Sequence, residues 1–123
     1  MRVRALLFVI LATSAPRALA QWVDVKGDEL RALYSDKTHR STSPAFTSHY
    51  RASGVGVVSF AQGKFQRSWR VRGDDQVCFA QMDGTGWCVT VQKSAHYPGE
   101  YRSRRTTDGQ MTTFRVEDGV PAR

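Results

Sequence analysis

From residue 46 onward, hydrophobic side chains recur at every second position in short runs, and turn-forming residues punctuate those runs. Ser68-Trp69-Arg70-Val71-Arg72 alternates cleanly, so Trp69 and Val71 share one face of a strand and Arg70 and Arg72 the other. Val77-Cys78-Phe79-Ala80 and Trp87-Cys88-Val89-Thr90-Val91 are rich in β-branched and aromatic residues. The segment between them, Met82-Asp83-Gly84-Thr85-Gly86, carries an Asp-Gly turn signal. A turn centred near Asp83 sets Cys78 opposite Cys88 and Phe79 opposite Trp87. Period 2 then gives Val77, Phe79, Trp87, Val89 and Val91 one face, and Cys78, Ala80, Cys88 and Thr90 the other. Cross-strand cysteines of this kind can meet the short Cβ separation that a disulfide needs. Closing a loop of about eleven residues is worth roughly 3 kcal/mol on the chain-entropy account.

The same reading extends along the chain. Phe46 to Ala52 predicts a strand with Phe46, Ser48 and Tyr50 on one side, and Ser53-Gly54 turns it into Val55 to Phe60. Ala61-Gln62-Gly63-Lys64 is the next turn, leading through Phe65 toward Trp69 and Val71. Gly99 to Ser103 and Met111 to Val116 complete the strands, joined by the turn Thr107-Asp108-Gly109-Gln110, and residues 117–121 read as a frayed tail. Ahead of them, Gln21 to Val25 is a short extended lead-in whose Trp22 and Val23 look for cover. Gly27 to Tyr34 changes period: Leu30, Leu33 and Tyr34 fall at i, i+3 and i+4, the apolar stripe of a short helix with Asp28 as its N-cap. A helix this short must dock on the sheet to persist. Ser35 to Pro44 reads as a polar loop. Short strands with frequent turns and no intervening helices predict a mainly β fold: a small antiparallel meander, open curved sheet or small barrel, with one short N-terminal helix.

The first twenty residues have a different texture. Met1-Arg2-Val3-Arg4 is followed by the apolar run Ala5 to Ala12 and by Ala18-Leu19-Ala20 before Gln21, the pattern of a signal peptide with an A-x-A cleavage site. The expected organisation is therefore a signal peptide over residues 1–20 and one β-rich domain over residues 21–123. The apolar run is too short to span a membrane comfortably, and no Cys follows the cleavage site to carry a lipid. Cleavage would leave 103 residues and, by removing Arg2, Arg4 and Arg17, lower the formal charge from +7 to +4. The expected location is periplasmic or secreted, in a bacterium, where a disulfide persists. The chain has no Asn and so no N-glycosylation site.

Candidate chemistry is sparse. The three histidines, His39, His49 and His96, fit no metalloprotease or haem-attachment spacing. His39 and His96 fall in predicted loops, where Asp36 or Asp75 could join them around a metal. His49 sits on a strand face opposite Ser48 and Tyr50, so Ser48-His49 is not a catalytic pair. Asp74-Asp75 reads as a turn rather than as two carboxylates across a cleft. The glycines match no phosphate loop, and no G-x-S-x-G element occurs. Arginine is the suggestive feature. Arg70 and Arg72 share an outward face, and Arg102, Arg104 and Arg105 cluster with Tyr101 and Tyr97, a combination that suits carboxylates, phosphates or sugars.

The segment Gly27-Asp28-Glu29-Leu30-Arg31-Ala32-Leu33-Tyr34-Ser35-Asp36-Lys37-Thr38, taken with Trp69-Arg70-Val71, Gly73-Asp74, Cys78 and Cys88, resembles uncharacterised small exported bacterial proteins. These pair a short E-L-x-x-L helix with a tryptophan strand and a two-cysteine hairpin, and are carried as a domain of unknown function. The resemblance implies a secreted β-rich fold and no catalytic residues.

These readings converge on an exported, non-enzymatic binding or interaction module with no cofactor. Its candidate ligand-binding residues are Arg70, Arg72, Tyr101, Arg102, Arg104 and Arg105. An anionic polysaccharide, a lipid headgroup or an acidic protein surface is the expected partner, and nucleic acid is not. The alternatives are an inhibitor of a periplasmic or host hydrolase and, behind it, a small metal-dependent hydrolase.

Overall fold

The computed structural model describes residues 21–122; the signal-peptide reading of residues 1–20 lies outside them. Nine strands and one helix follow in order: β1 (Trp22–Val25), α1 (Gly27–Tyr34), β2 (Lys37–Ser43), β3 (Ala45–Tyr50), β4 (Val55–Phe60), β5 (Gly63–Arg72), β6 (Gln76–Gln81), β7 (Gly86–Ser94), β8 (Glu100–Arg105) and β9 (Met111–Asp118). Strands β2 to β9 pair with their chain neighbours, all antiparallel, and β9 pairs back onto β2. The meander therefore closes into an eight-stranded up-and-down barrel, and closure removes the exposed edges an open sheet would leave. The long β7 carries β6 along its first half and β1 along its second, with β8 on its other edge.

The disulfide hairpin has the register that its pattern dictates. Cys78 faces Cys88, Phe79 faces Trp87, and the two cysteines are bonded. Asp83 organises the turn, its Oδ1 accepting from the Thr85 backbone N–H at 2.9 Å and the Thr85 hydroxyl at 2.6 Å. Val77, Phe79, Val89 and Val91 are buried inside the barrel, and the disulfide lies on the outer face. The Arg72 guanidinium approaches Cys88 Sγ there, at 3.9 Å.

Several elements depart from the sequence reading. Residues 37–43 are a strand rather than a polar loop, because polar residues serve as its inward set: His39 and Ser41 are buried in the barrel. Asp28 is not the helix cap. Lys26 occupies that position without a side-chain cap, and the Gly27 N–H donates to the Asp74 carbonyl in the β5–β6 turn at 2.8 Å. Gly27 makes that approach at φ 58°, which a side chain would strain. In the lead-in Val25 is the buried residue, while Val23 stays exposed. The tail is not frayed: β9 runs to Asp118, Gly119 bonds the Asp36 and Thr38 region, and the Pro121 carbonyl accepts from Arg51 at 2.7 Å.

The helix decides what kind of barrel this is. Leu30, Leu33 and Tyr34 project from α1 into the end framed by the β3–β4, β5–β6 and β7–β8 connections. They join Val25, Trp69, Val77 and Val91 in one buried cluster. That end is a closed floor. Four connections frame the opposite end, those of β2–β3, β4–β5, β6–β7 and β8–β9, and none of the described elements crosses it.

Candidate functional site

An eight-stranded barrel has an interior just wide enough to be filled by side chains or to hold one small ligand. Here the floor half is filled and the other half is hollow. A cavity of about 230 Å³ opens at the mouth, a volume of roughly eight water molecules. Its wall comes in three layers. At the mouth, Phe46 and Phe60 lie 5.4 Å apart and Phe60 stacks on Phe65 at 5.8 Å. At the base, Tyr34, His39, Tyr50 and Phe114 pack ring against ring, with His39 stacked on Phe114 at 4.7 Å. Between these layers stand two guanidinium groups.

Arg67 is on β5, two residues before Trp69 and in phase with it, so strand alternation turns it inward. Its guanidinium carbon lies 4.1 Å from the Phe79 ring centroid, 5.2 Å from that of Trp87 and 5.6 Å from that of Tyr50. One of its terminal N–H groups donates to the Tyr50 hydroxyl. Its Nε is buried without a partner, as is Ser48 Oγ on β3. Arg105, on β8, sits 5.1 Å from the Trp87 centroid and forms a loose ion pair with Asp108 at 3.6 Å. Among the described residues, no Asp or Glu side chain lines the cavity.

Room for this arrangement comes from Gly56 on β4. A Cβ there would stand 2.8 Å from the Tyr50 ring, so the tyrosine lies across the glycine and reaches Arg67. Burial sets the protonation states at the base. It pushes the Tyr34 phenol well above its ordinary range, so that group stays neutral. It also lowers His39 to about 4. Neutral His39 keeps a proton on Nε2, because that nitrogen donates to the Leu33 carbonyl at 2.8 Å.

The arginines singled out in the sequence are divided by the strands that carry them. Arg70, Arg72, Arg102 and Arg104 point outward, whereas Arg105 and Tyr101 point into the barrel. Two strands separate the Arg70–Arg72 pair from the Arg102–Arg104 pair, about 14 Å around the wall. Arg102 stacks on Trp22 at 4.3 Å and donates to Gln92, which ties it to the β1–β7 seam. Tyr97 is exposed in the β7–β8 loop. His39 is a cup residue rather than a loop residue, His49 lies outside with its Nδ1 at 2.9 Å from Thr38 Oγ1, and His96 is in the β7–β8 loop. Among the described residues, no three His, Cys, Asp or Glu side chains come together as a metal site.

Sequence reasoning missed Arg67, the only guanidinium in the cup that has no carboxylate beside it among the described residues. The available signal was the Trp69–Val71 alternation carried two residues back. No family model, curated protein or solved structure matches the chain.

Proposed function

We propose that this is an exported binding protein whose barrel takes one small ligand with a flat apolar body, and that it performs no chemistry on it. The observation that supports this reading is the hollow half-barrel itself. It is floored by a helix, walled by aromatic rings and open at one end. Ligand sites are typically concave and mostly apolar, with a few placed polar groups; this cup has that make-up and is somewhat smaller than the usual range, which restricts it to a small ligand. His39 is committed to the Leu33 carbonyl and held neutral, which suits a structural part of the cup base better than a proton shuttle. The disulfide supports an oxidising compartment, and no helix of the described residues is long and apolar enough to cross a membrane.

The test is a fragment titration followed by amide and side-chain NMR. Neutral aromatic fragments such as benzamide and indole should shift the Trp87 indole, the Phe79 ring and the Phe114 ring, and leave Arg70 and Arg104 unmoved. Ser103→Phe, which adds a ring to the cup wall, should abolish those shifts while the barrel stays folded. Shifts confined to the outer wall, in the native protein, would remove the cup from consideration.

A further inference from the structure

We propose that the ligand of the cup is a monoanion, a carboxylate on a flat apolar body, and that Arg67 is the residue that receives the carboxylate. The inference rests on the reading of the barrel as a binding cup and narrows it to one charge.

The argument is a charge balance. A guanidinium does not give up its proton in a protein. Arg67 therefore holds a full positive charge between Phe79, Trp87 and Tyr50. Ring faces and the neutral Tyr50 hydroxyl offset part of the cost of drawing that charge out of water. They do not satisfy Nε, which is buried and unpartnered. A half-desolvated cation with an idle donor is costly unless an anion joins it.

Nothing in the cup supplies that anion. Among the described residues the lining contains no Asp or Glu, Tyr34 is held as the neutral phenol, and His39 is neutral. Arg105 shares the Trp87 ring, but it is partly in water and has a loose partner at 3.6 Å in Asp108 on the β8–β9 turn, so its charge is not stranded as that of Arg67 is. One positive charge is left over, and it belongs to Arg67. A planar guanidinium offers paired N–H groups that match the two oxygens of a carboxylate, and Ser48 Oγ is a second unpartnered polar atom on the same wall. The rings above and below Arg67 leave the rest of the ligand an apolar aromatic slot. A doubly charged phosphate monoester would bring one negative charge more than the cup can answer.

The experiment uses the disulfide-bonded protein at neutral pH and compares 3-phenylpropanoate, 3-phenylpropanamide and phenethyl phosphate by calorimetry. A hydrogen-bonded charge pair of this kind should favour the carboxylate over the amide by about tenfold or more. The phosphate monoester should bind no better than the amide. Arg67→Met should bring the carboxylate down to the affinity of the amide, so that the acid-to-amide ratio falls to about one, whereas Arg70→Met, on the outer face of the same strand, should leave that ratio as it is in the native protein. Should the Arg67 variant not fold, the acid-to-amide ratio in the unaltered protein decides alone. Equal affinity for acid and amide would overturn the monoanion and leave the cup standing. Tighter binding of the phosphate would overturn the charge count. No binding by any of the three up to its solubility limit would remove the cup and this inference together.

Discussion

The two ends of the barrel are built from the same kinds of residue and are put to opposite uses. At the floor, Leu30, Leu33 and Tyr34 enter from α1 and meet Val25, Trp69, Val77 and Val91 in one buried cluster. At the mouth, Phe46, Phe60 and Phe65 stack on one another, Phe60 remains exposed, and no described element covers them. Hydrophobic composition therefore does not decide where a barrel is solid. A single eight-residue helix, entering at one end, does. Filled space at the floor is where stability should lie, and open space at the mouth is where a ligand can be admitted at little structural cost.

The sharpest way to break that comparison is to truncate one residue at each end. Leu30→Ala should cost about 3–4 kcal/mol in urea unfolding, because the side chain is fully buried and its removal leaves a cavity. Phe60→Ala should cost less than about 1 kcal/mol, since that ring is already substantially in water. Equal losses at the two ends would mean that the mouth is as structural as the floor.

The mouth half has a different support, the covalent link across β6 and β7 beneath their turn. Converting both Cys78 and Cys88 to Ser should lower stability by about 3 kcal/mol. Hydrogen exchange should then quicken most at residues 79–87, while the amides around Leu30 and Val91 remain slowest. Uniform acceleration across the barrel would sink the idea that the hairpin is pinned separately.

The boundary between solid and hollow runs through His39, and pH can probe it. Its pKa is lowered on folding to about 4, chiefly by burial, so the unfolded chain binds a proton that the folded one refuses. Stability is thus complete above about pH 6.5 and falls as pH drops toward 4, by roughly 3 kcal/mol in all. His49 is also lowered, chiefly by desolvation, so the contribution of His39 is read as the difference between the native protein and His39→Gln. Glutamine keeps a donor for the Leu33 carbonyl. Superimposable pH profiles would show that the histidine is not held neutral by its surroundings. A more modest effect than that of His39 is expected at Gly56: Gly56→Ala should cost about 1–2 kcal/mol by pressing on the Tyr50 ring, and should weaken carboxylate binding by tilting that ring away from Arg67.

What the sequence revealed follows the same division. Where a strand is apolar on one face and polar on the other, as in Trp69 to Arg72 or Val77 to Val91, alternation gave the faces, the register and the disulfide. Where a strand lines the hollow, that signal fails. Lys37–Ser43 looks like a loop because His39 and Ser41, its inward residues, are polar. Arg67 is hidden for the same reason: an inward arginine interrupts the apolar phase of Phe65, Trp69 and Val71. Arg102, Arg104 and Arg105 seem to form one cluster because proximity along the chain masks the fact that a pleated strand sends neighbours to opposite sides. Closure was undecidable because β2–β9 pairing depends on backbone register between segments more than sixty residues apart, which no local pattern encodes.

The position of α1 in the chain has a consequence for the order of assembly. The helix is synthesised before every strand of the closed barrel, yet it docks on the β5–β6 turn through Asp74, and β1 beside it pairs with β7. Its apolar stripe must wait, unburied, until some sixty further residues have emerged, and such long-range closure is intrinsically slow. The stopper is thus made first and seated late, which gives the young chain a period in which its leading end is sticky and a chaperone has something to hold.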